Sequence, residues 1–170
     1  MMRNLVLLVA ACGSGTPRDT TTVAKPAAVA SSATMPADAV GAGYLSYRKV
    51  TDQPYRSRVH GDRMVDVYVS PGGEQAYLGD GEIPVGTVVV KAATDGAIFV
   101  MEKRASGYAP DHLDWYYALH WLSPPPEQKA RFGDAVDWRS PSPRVSYCWE
   151  CHDDYDRGLG GLTPSSILPR

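Results

Sequence analysis

RMVDVYV, residues 63–69, alternates without a break. Val65, Val67 and Val69 fall on one side, and Met64, Asp66 and Tyr68 on the other. A period of two is that of an extended chain with one face buried, so the stretch predicts a strand. Working outward, Ser70-Pro71-Gly72-Gly73 predicts a turn, with a short helix expected through Glu74-Gln75-Ala76-Tyr77. Residues 83–91, IPVGTVVVK, predict a second strand rich in β-branched side chains. Residues 97–103, AIFVMEK, follow the Asp95-Gly96 turn and predict a hairpin with it. DWYYALHW, residues 114–121, alternates again. Trp115, Tyr117, Leu119 and Trp121 share one face; Tyr116, Ala118 and His120 share the other. Pro124-Pro125-Pro126 ends that strand, and residues 124–144 read as an excursion. Upstream, residues 36–50, PADAVGAGYLSYRKV, carry Val40, Tyr44 and Tyr47 at helical spacing and predict a helix weakened by two glycines. The expected class is α+β: a mainly antiparallel sheet with a few short helices.

A chain of 170 residues suits one domain with a sizeable core and a short appendage. The formal net charge of −2 offers no basic face of the kind a general nucleic-acid binder uses, so no nucleic-acid partner is expected.

The first residues, MMRNLVLLVAAC, read as an address. Arg3 supplies a short positive region, and the apolar run from Leu5 to Ala11 is too short to span a bilayer as a mature helix. Val9-Ala10-Ala11-Cys12 resembles the lipobox of bacterial lipoproteins, which implies a signal peptide over 1–11 and lipidation of Cys12. An ordinary cleaved signal peptide with a chance cysteine is the competing reading. No aspartate follows Cys12, which by resemblance to sorting signals implies anchoring at the periplasmic side of the outer membrane. The Thr/Ala/Ser/Pro-rich residues up to 35 lack the apolar surface to offset ordering entropy and read as a tether. The folded domain is expected over 36–170.

SYCWECHDDYD, residues 146–156, carries the chemistry. Cys148 and Cys151 stand three apart, and His152 follows directly. In c-type haem attachment two thiols add to the two porphyrin vinyl groups, and the adjacent histidine becomes the axial ligand of the iron. The spacing matches without a gap, and such haem is attached outside the cytoplasm, where the signal sequence sends the chain. A structural zinc site needs four ligands, but there is no second cysteine pair, and His60, His112 and His120 lack ligand spacing. A thioredoxin-like pair opens a helix after a strand in an α/β pattern, which this chain does not show. A disulfide between residues three apart is strained. One haem c per chain is therefore expected. The late position of the motif and the three strands speak against both small helical electron-transfer cytochromes and four-helix cytochromes c′.

VHGDRMVDVYV, then IPVGTVVVKA, then GYAPDHLDWYYA, then CWECH resembles, in this order, the cytochrome P-460 family with its cytochrome c′-beta relatives. The resemblance covers about residues 40–155. It implies a mainly antiparallel β fold, often a homodimer, and one haem with an open distal face. P-460 members oxidise hydroxylamine with a lysine cross-linked to the porphyrin and a distal carboxylate; c′-beta members bind nitric oxide or other gases under an aromatic cap. Residue by residue, the resemblance makes His152 the proximal ligand, Cys148 and Cys151 the thioether positions, and Lys91 the candidate for the cross-link. Lys91 shares a strand face with Thr87 and Val89; the competing reading is a solvated strand-end lysine. For the distal face the candidates are Tyr116, Ala118 and His120. None is a carboxylate, and Asp114 stands only at the strand's start. A missing base slows a multi-electron oxidation that must shed protons, while gas binding survives.

The leading expectation is a lipid-anchored periplasmic haem protein whose open iron site oxidises hydroxylamine or binds nitric oxide, with a periplasmic electron acceptor as partner. The alternative is a six-coordinate electron-transfer cytochrome, its second ligand drawn from Met64, Met101 or a histidine. A strand methionine is more often core. His60, before Gly61, reads as a surface turn residue or a partner of a haem propionate. Arg56, Arg58, Arg63 and Arg104 are candidates for pairing with the propionates, because guanidinium meets carboxylate bidentately. A haem-free lipoprotein with an interaction role is the third possibility.

Overall fold

A computed structural model describes residues 43–160. The expected signal peptide, Cys12, the expected tether and the first part of the helix expected over 36–50 lie outside the described residues. Seven antiparallel strands form one open sheet: β1 Arg48–Lys49, β2 Tyr55–Ser57, β3 Arg63–Val69, β4 Val88–Ala93, β5 Ile98–Lys103, β6 Trp115–Trp121 and β7 Val136–Arg139. From β3 to β7 each strand pairs with its successor, and β1 and β2 share the remaining edge of β3. Three short helices complete the domain: α1 Glu74–Leu78, α2 Pro126–Phe132 and α3 Ser146–His152. The chain is thus α+β with a mainly antiparallel sheet. No helix among the described residues is long and apolar enough to cross a membrane.

The alternation read from β3 persists across the sheet. Val69, Val89, Met101 and Tyr117 form one cross-strand row, and Val67, Lys91, Phe99 and Leu119 the next. These rows belong to a face on which Val145 and Leu159 pack, with Cys148 and Trp149 of α3 against them. The opposite face holds a second cluster, with Val88, Val90, Val100, Tyr116 and Ala118 at its centre. Both faces of the middle strands are therefore buried, and all seven residues of β6 are inaccessible.

Three buried hydroxyls complete the ladder where strands run out. Thr51 Oγ1 accepts from Val67 N at 3.2 Å, Ser70 Oγ from Val88 N at 2.8 Å, and Ser140 Oγ from Tyr117 N at 3.0 Å. A buried N–H without such a partner costs about 1–3 kcal/mol.

Several elements differ from the sequence-based expectation. In place of a helix reaching residue 50, a 3-10 turn over Gly43–Ser46 leads into β1. The helical signal loses to the sheet edge: Val50 N donates to Val67 O at 2.9 Å, and Tyr47 and Val50 are buried. The second strand begins at Val88, because Thr87 N closes a turn on Pro84 O at 3.1 Å. The excursion over 124–144 contains α2 and β7. Pro126 opens α2 at its first position, where a missing N–H costs nothing, and β7 is too short to display a period.

Candidate functional site

A 3-10 turn over Pro143–Val145 feeds α3, and buried Val145 anchors the junction to the sheet. Residues three and four apart on a helix are neighbours, so Cys148, Cys151 and His152 project together. Both thiols are free; Cys148 is half-buried and Cys151 exposed. Burial, then the neighbouring Cys151, pushes the Cys148 thiol up to about 12.

His152 is only 7% exposed. Its Nδ1 donates to the carbonyl oxygen of Gly158 at 2.5 Å. A carbonyl only accepts, so the proton sits on Nδ1 and Nε2 keeps its lone pair. Burial, then the charge of Lys91, lowers the His152 pKa to about 4, which keeps the ring neutral. The turn that presents Gly158 is tied to β6, because Trp115 Nε1 donates to Arg157 O at 3.0 Å. Gly158 has φ 67°, and a Cβ there would stand 2.7 Å from Trp115 Nε1, so only glycine fits.

Lys91 lies in the middle of the row running from Val67 to Leu119, and its side chain is 6% exposed. Burial lowers its pKa to about 8, an effect that Cys148 partly opposes. Beside it, the Tyr117 hydroxyl is buried without a hydrogen-bond partner among the described residues. Burial raises its pKa first, and Asp153 and Cys148 add to the shift. The Tyr117 ring lies 5.6 Å from that of His152.

Lys91, Tyr117, Cys148, Cys151 and His152 border a narrow crevice of about 40 Å³. It adjoins a cavity of about 600 Å³; His60, Phe99 and Tyr147 line both. Aromatic side chains and arginines line the cavity together. Arg63 lies over Trp121 at 4.6 Å, Arg131 over Phe132 at 5.1 Å and Arg144 over Trp138 at 5.2 Å. Arg58 lines it too, and Arg63 is paired with Asp95 at 2.8 Å. Among the described residues, neither lining includes Asp or Glu. His60 Nδ1 is 2.7 Å from Ser57 Oγ, and its ring packs edge-on against Phe99 at 4.8 Å. Burial, then Lys91, His152 and Arg63, lowers the His60 pKa to about 2.

The structure thus brings Lys91 to Cys148, Cys151 and His152, and Ala118 borders the same crevice, but Tyr116 and His120 do not. Tyr116 and Ala118 belong to the cluster on the opposite face, and His120 shares their phase of β6. Of the three residues expected on the distal face, Ala118 alone borders the crevice. Helix α3 covers the other phase, and Phe99 and Tyr117 stand beside the site instead. The register carries the signal: Lys91 pairs with Phe99, and Phe99 with Leu119, which fixes the phase of β6 that accompanies the lysine.

Of the four candidate arginines, Arg58 and Arg63 line the cavity. Arg56 instead pairs with Asp62, its Nε donating at 2.7 Å, and Arg104 pairs with Glu102 beside Tyr116. Arg131 and Arg144, from the unread excursion, were missed. Met64 is 41% exposed in the other phase of β3, while Met101 lies in the core beside the crevice. Asp114 accepts from Gly107 N at 3.1 Å and Ala109 N at 2.9 Å, which binds it to its own loop.

These residues suit a porphyrin better than a bare ion. Among the described residues no three His, Cys, Asp or Glu side chains are placed to hold an ion. The site offers the imidazoles of His152 and His60, two free thiols, an orphaned buried hydroxyl and an aromatic cavity with arginines in its lining. Comparison of the chain with family models, with curated protein sequences and with solved structures finds no match.

Proposed function

We propose that the chain is a c-type haem protein of the cytochrome P-460 and c′-beta kind that binds a small nitrogen ligand such as nitric oxide. One observation carries the reading. The His152 proton is fixed on Nδ1 by Gly158, which leaves Nε2 free beside the paired thiols of the same helix, at the mouth of an aromatic cavity. A carbonyl partner on the far nitrogen orients a histidine for metal ligation. Cys148 and Cys151 would carry the thioethers and His152 the axial bond. Arg58, Arg131 and Arg144 would meet the propionates, whereas Arg63 is already engaged, its Nε donating to Asp95 Oδ2 at 2.8 Å and its Nη1 to His60 O at 2.9 Å. When bound, the haem supplies an iron site able to take a diatomic or small nitrogen ligand.

The protein's own contribution is orientation and exclusion of water. Phe99, Tyr117 and Met101 keep the crevice apolar, and Gly158 holds the imidazole ring in place. Lys91, buried and of lowered basicity, is the one side chain suited to a cross-link with the porphyrin edge. The absence of Asp and Glu from both linings favours binding over hydroxylamine oxidation, which must shed protons to a base. A lipid anchor at Cys12, a periplasmic electron acceptor and a homodimer belong to the same proposal.

The test is protein produced with the haem-attachment machinery. Pyridine haemochrome and intact mass should report one haem, and Cys148→Ser with Cys151→Ser should abolish it. The holoprotein should bind nitric oxide and turn over hydroxylamine slowly or not at all. A colourless parent ends the haem reading; rapid hydroxylamine oxidation with an acceptor restores the enzymatic one.

A further inference from the structure

The chain has four histidines, and one of them approaches His152. The ring centroids of His60 and His152 are 6.3 Å apart, with planes inclined by 70°. Two imidazoles sharing one iron, each nitrogen about 2 Å from it, have ring centres roughly 6 Å apart. The support of the two rings is also alike. Gly158 O holds Nδ1 of His152, and Ser57 Oγ holds Nδ1 of His60. A serine hydroxyl can donate as well as accept; in the tautomer whose Nδ1–H donates to Ser57 Oγ, the Nε2 of His60 carries the lone pair that ligation requires.

The competing ligands are placed less well. His112 is bound to Asp153 at 2.7 Å and stacked on Trp149, and His120 belongs to the other sheet phase. Met64 belongs to that other phase too, and Met101 is packed into the core cluster with Val89 and Tyr117. His60 differs from both methionines in its backbone. It ends a 3-10 turn, Arg58–His60, closed by Gly61 at φ 76° and Asp62 at φ 61°. Its neighbour Val59 is 71% exposed. A side chain on such a turn can leave its position without dismantling the sheet.

We propose that His60 is a displaceable second axial ligand, occupying the sixth position opposite His152 in the resting protein and yielding it to the incoming small molecule. The proposal rests on the haem reading above. The exchange is a ligand substitution: the bond from Nε2 opens, the bond to the small molecule forms, and no electron or proton changes hands. Binding is then limited by the fraction of molecules in which His60 has moved away.

Carbon monoxide added to dithionite-reduced holoprotein tests this. The unliganded wild type should show a six-coordinate, low-spin spectrum, and its binding rate should saturate as carbon monoxide rises. His60→Ala should be five-coordinate and high-spin, with a rate linear in concentration and at least about tenfold faster if His60 holds the position nine-tenths of the time. Met64→Leu, at an exposed position in the other phase of β3, should behave as the wild type. Should His60→Ala fail to fold, the wild-type ferric protein decides, because near-infrared and electron paramagnetic resonance spectra distinguish bis-imidazole from imidazole–thioether ligation. A high-spin wild type unchanged by His60→Ala, or loss of the low-spin form in Met101→Leu instead, overturns the proposal while leaving the haem reading intact. Absence of haem from correctly matured protein overturns both, and haemochrome tells the two failures apart.

Discussion

Lys91 illustrates how a single side chain is set by its neighbours. It interrupts an otherwise apolar cross-strand row and is almost inaccessible, so its charged form is penalised. Its pKa is lowered from 10.5 to about 8, so the folded chain binds fewer protons than the unfolded chain between those values. Stability therefore rises with pH across that window, and the penalty is complete below about 8. In a haem-free Cys148→Ser, Cys151→Ser background, Lys91→Met should be more stable than its parent by about 3 kcal/mol at neutral pH. The advantage should shrink toward pH 10.5, as read by urea unfolding at several pH values. A difference independent of pH would mean that the amine is solvated. Gly158 makes a second residue-scale prediction. Gly158→Ala forces a side chain into left-handed backbone and against Trp115, at a cost of about 1–3 kcal/mol. It should also shift the visible spectrum of the holoprotein, because the acceptor for His152 moves with it. At this scale the Cys-x-x-Cys-His cluster was readable because its spacing is its chemistry. The approach of His60 to His152 was not, because it joins rings 6.3 Å apart from residues 92 positions apart in the chain.

Strands with a clean period were legible, and β3 matches its expected bounds residue for residue. Elements whose existence depends on a partner were not. β1 and β7 are two and four residues long and exist because β3 and β6 offer them edges. The faces of β6 were separable from its alternation, but which face meets α3 depends on packing that no local pattern records. The hydroxyls that extend the ladder belong to this scale. Ser140→Ala should strand the buried Tyr117 N–H and lower stability by about 1–3 kcal/mol in a denaturant melt. The haem spectrum should be nearly unchanged, because the Tyr117 side chain stays in register. A spectral change larger than that of Gly158→Ala would show that β6, rather than the turn after α3, positions the imidazole.

For the whole molecule, the sequence reading separates an address from a domain, and the two should separate in experiment. Cys12→Ser should move the protein from the membrane fraction to the soluble fraction while leaving its visible spectrum unchanged. The described residues belong to one compact unit in which α3 follows every strand of the sheet. One property of that unit has a consequence for assembly. In the proposed haem attachment the Cys148 sulfur has to form a thioether, yet burial against the sheet protects it and holds it protonated. Collapse and cofactor delivery therefore compete in time. A chain that has already closed over this sulfur should be refractory to attachment, while the same chain loosened by urea should accept it. Factors that delay collapse after export should raise the coloured yield, and factors that hasten it should leave well-formed but colourless protein.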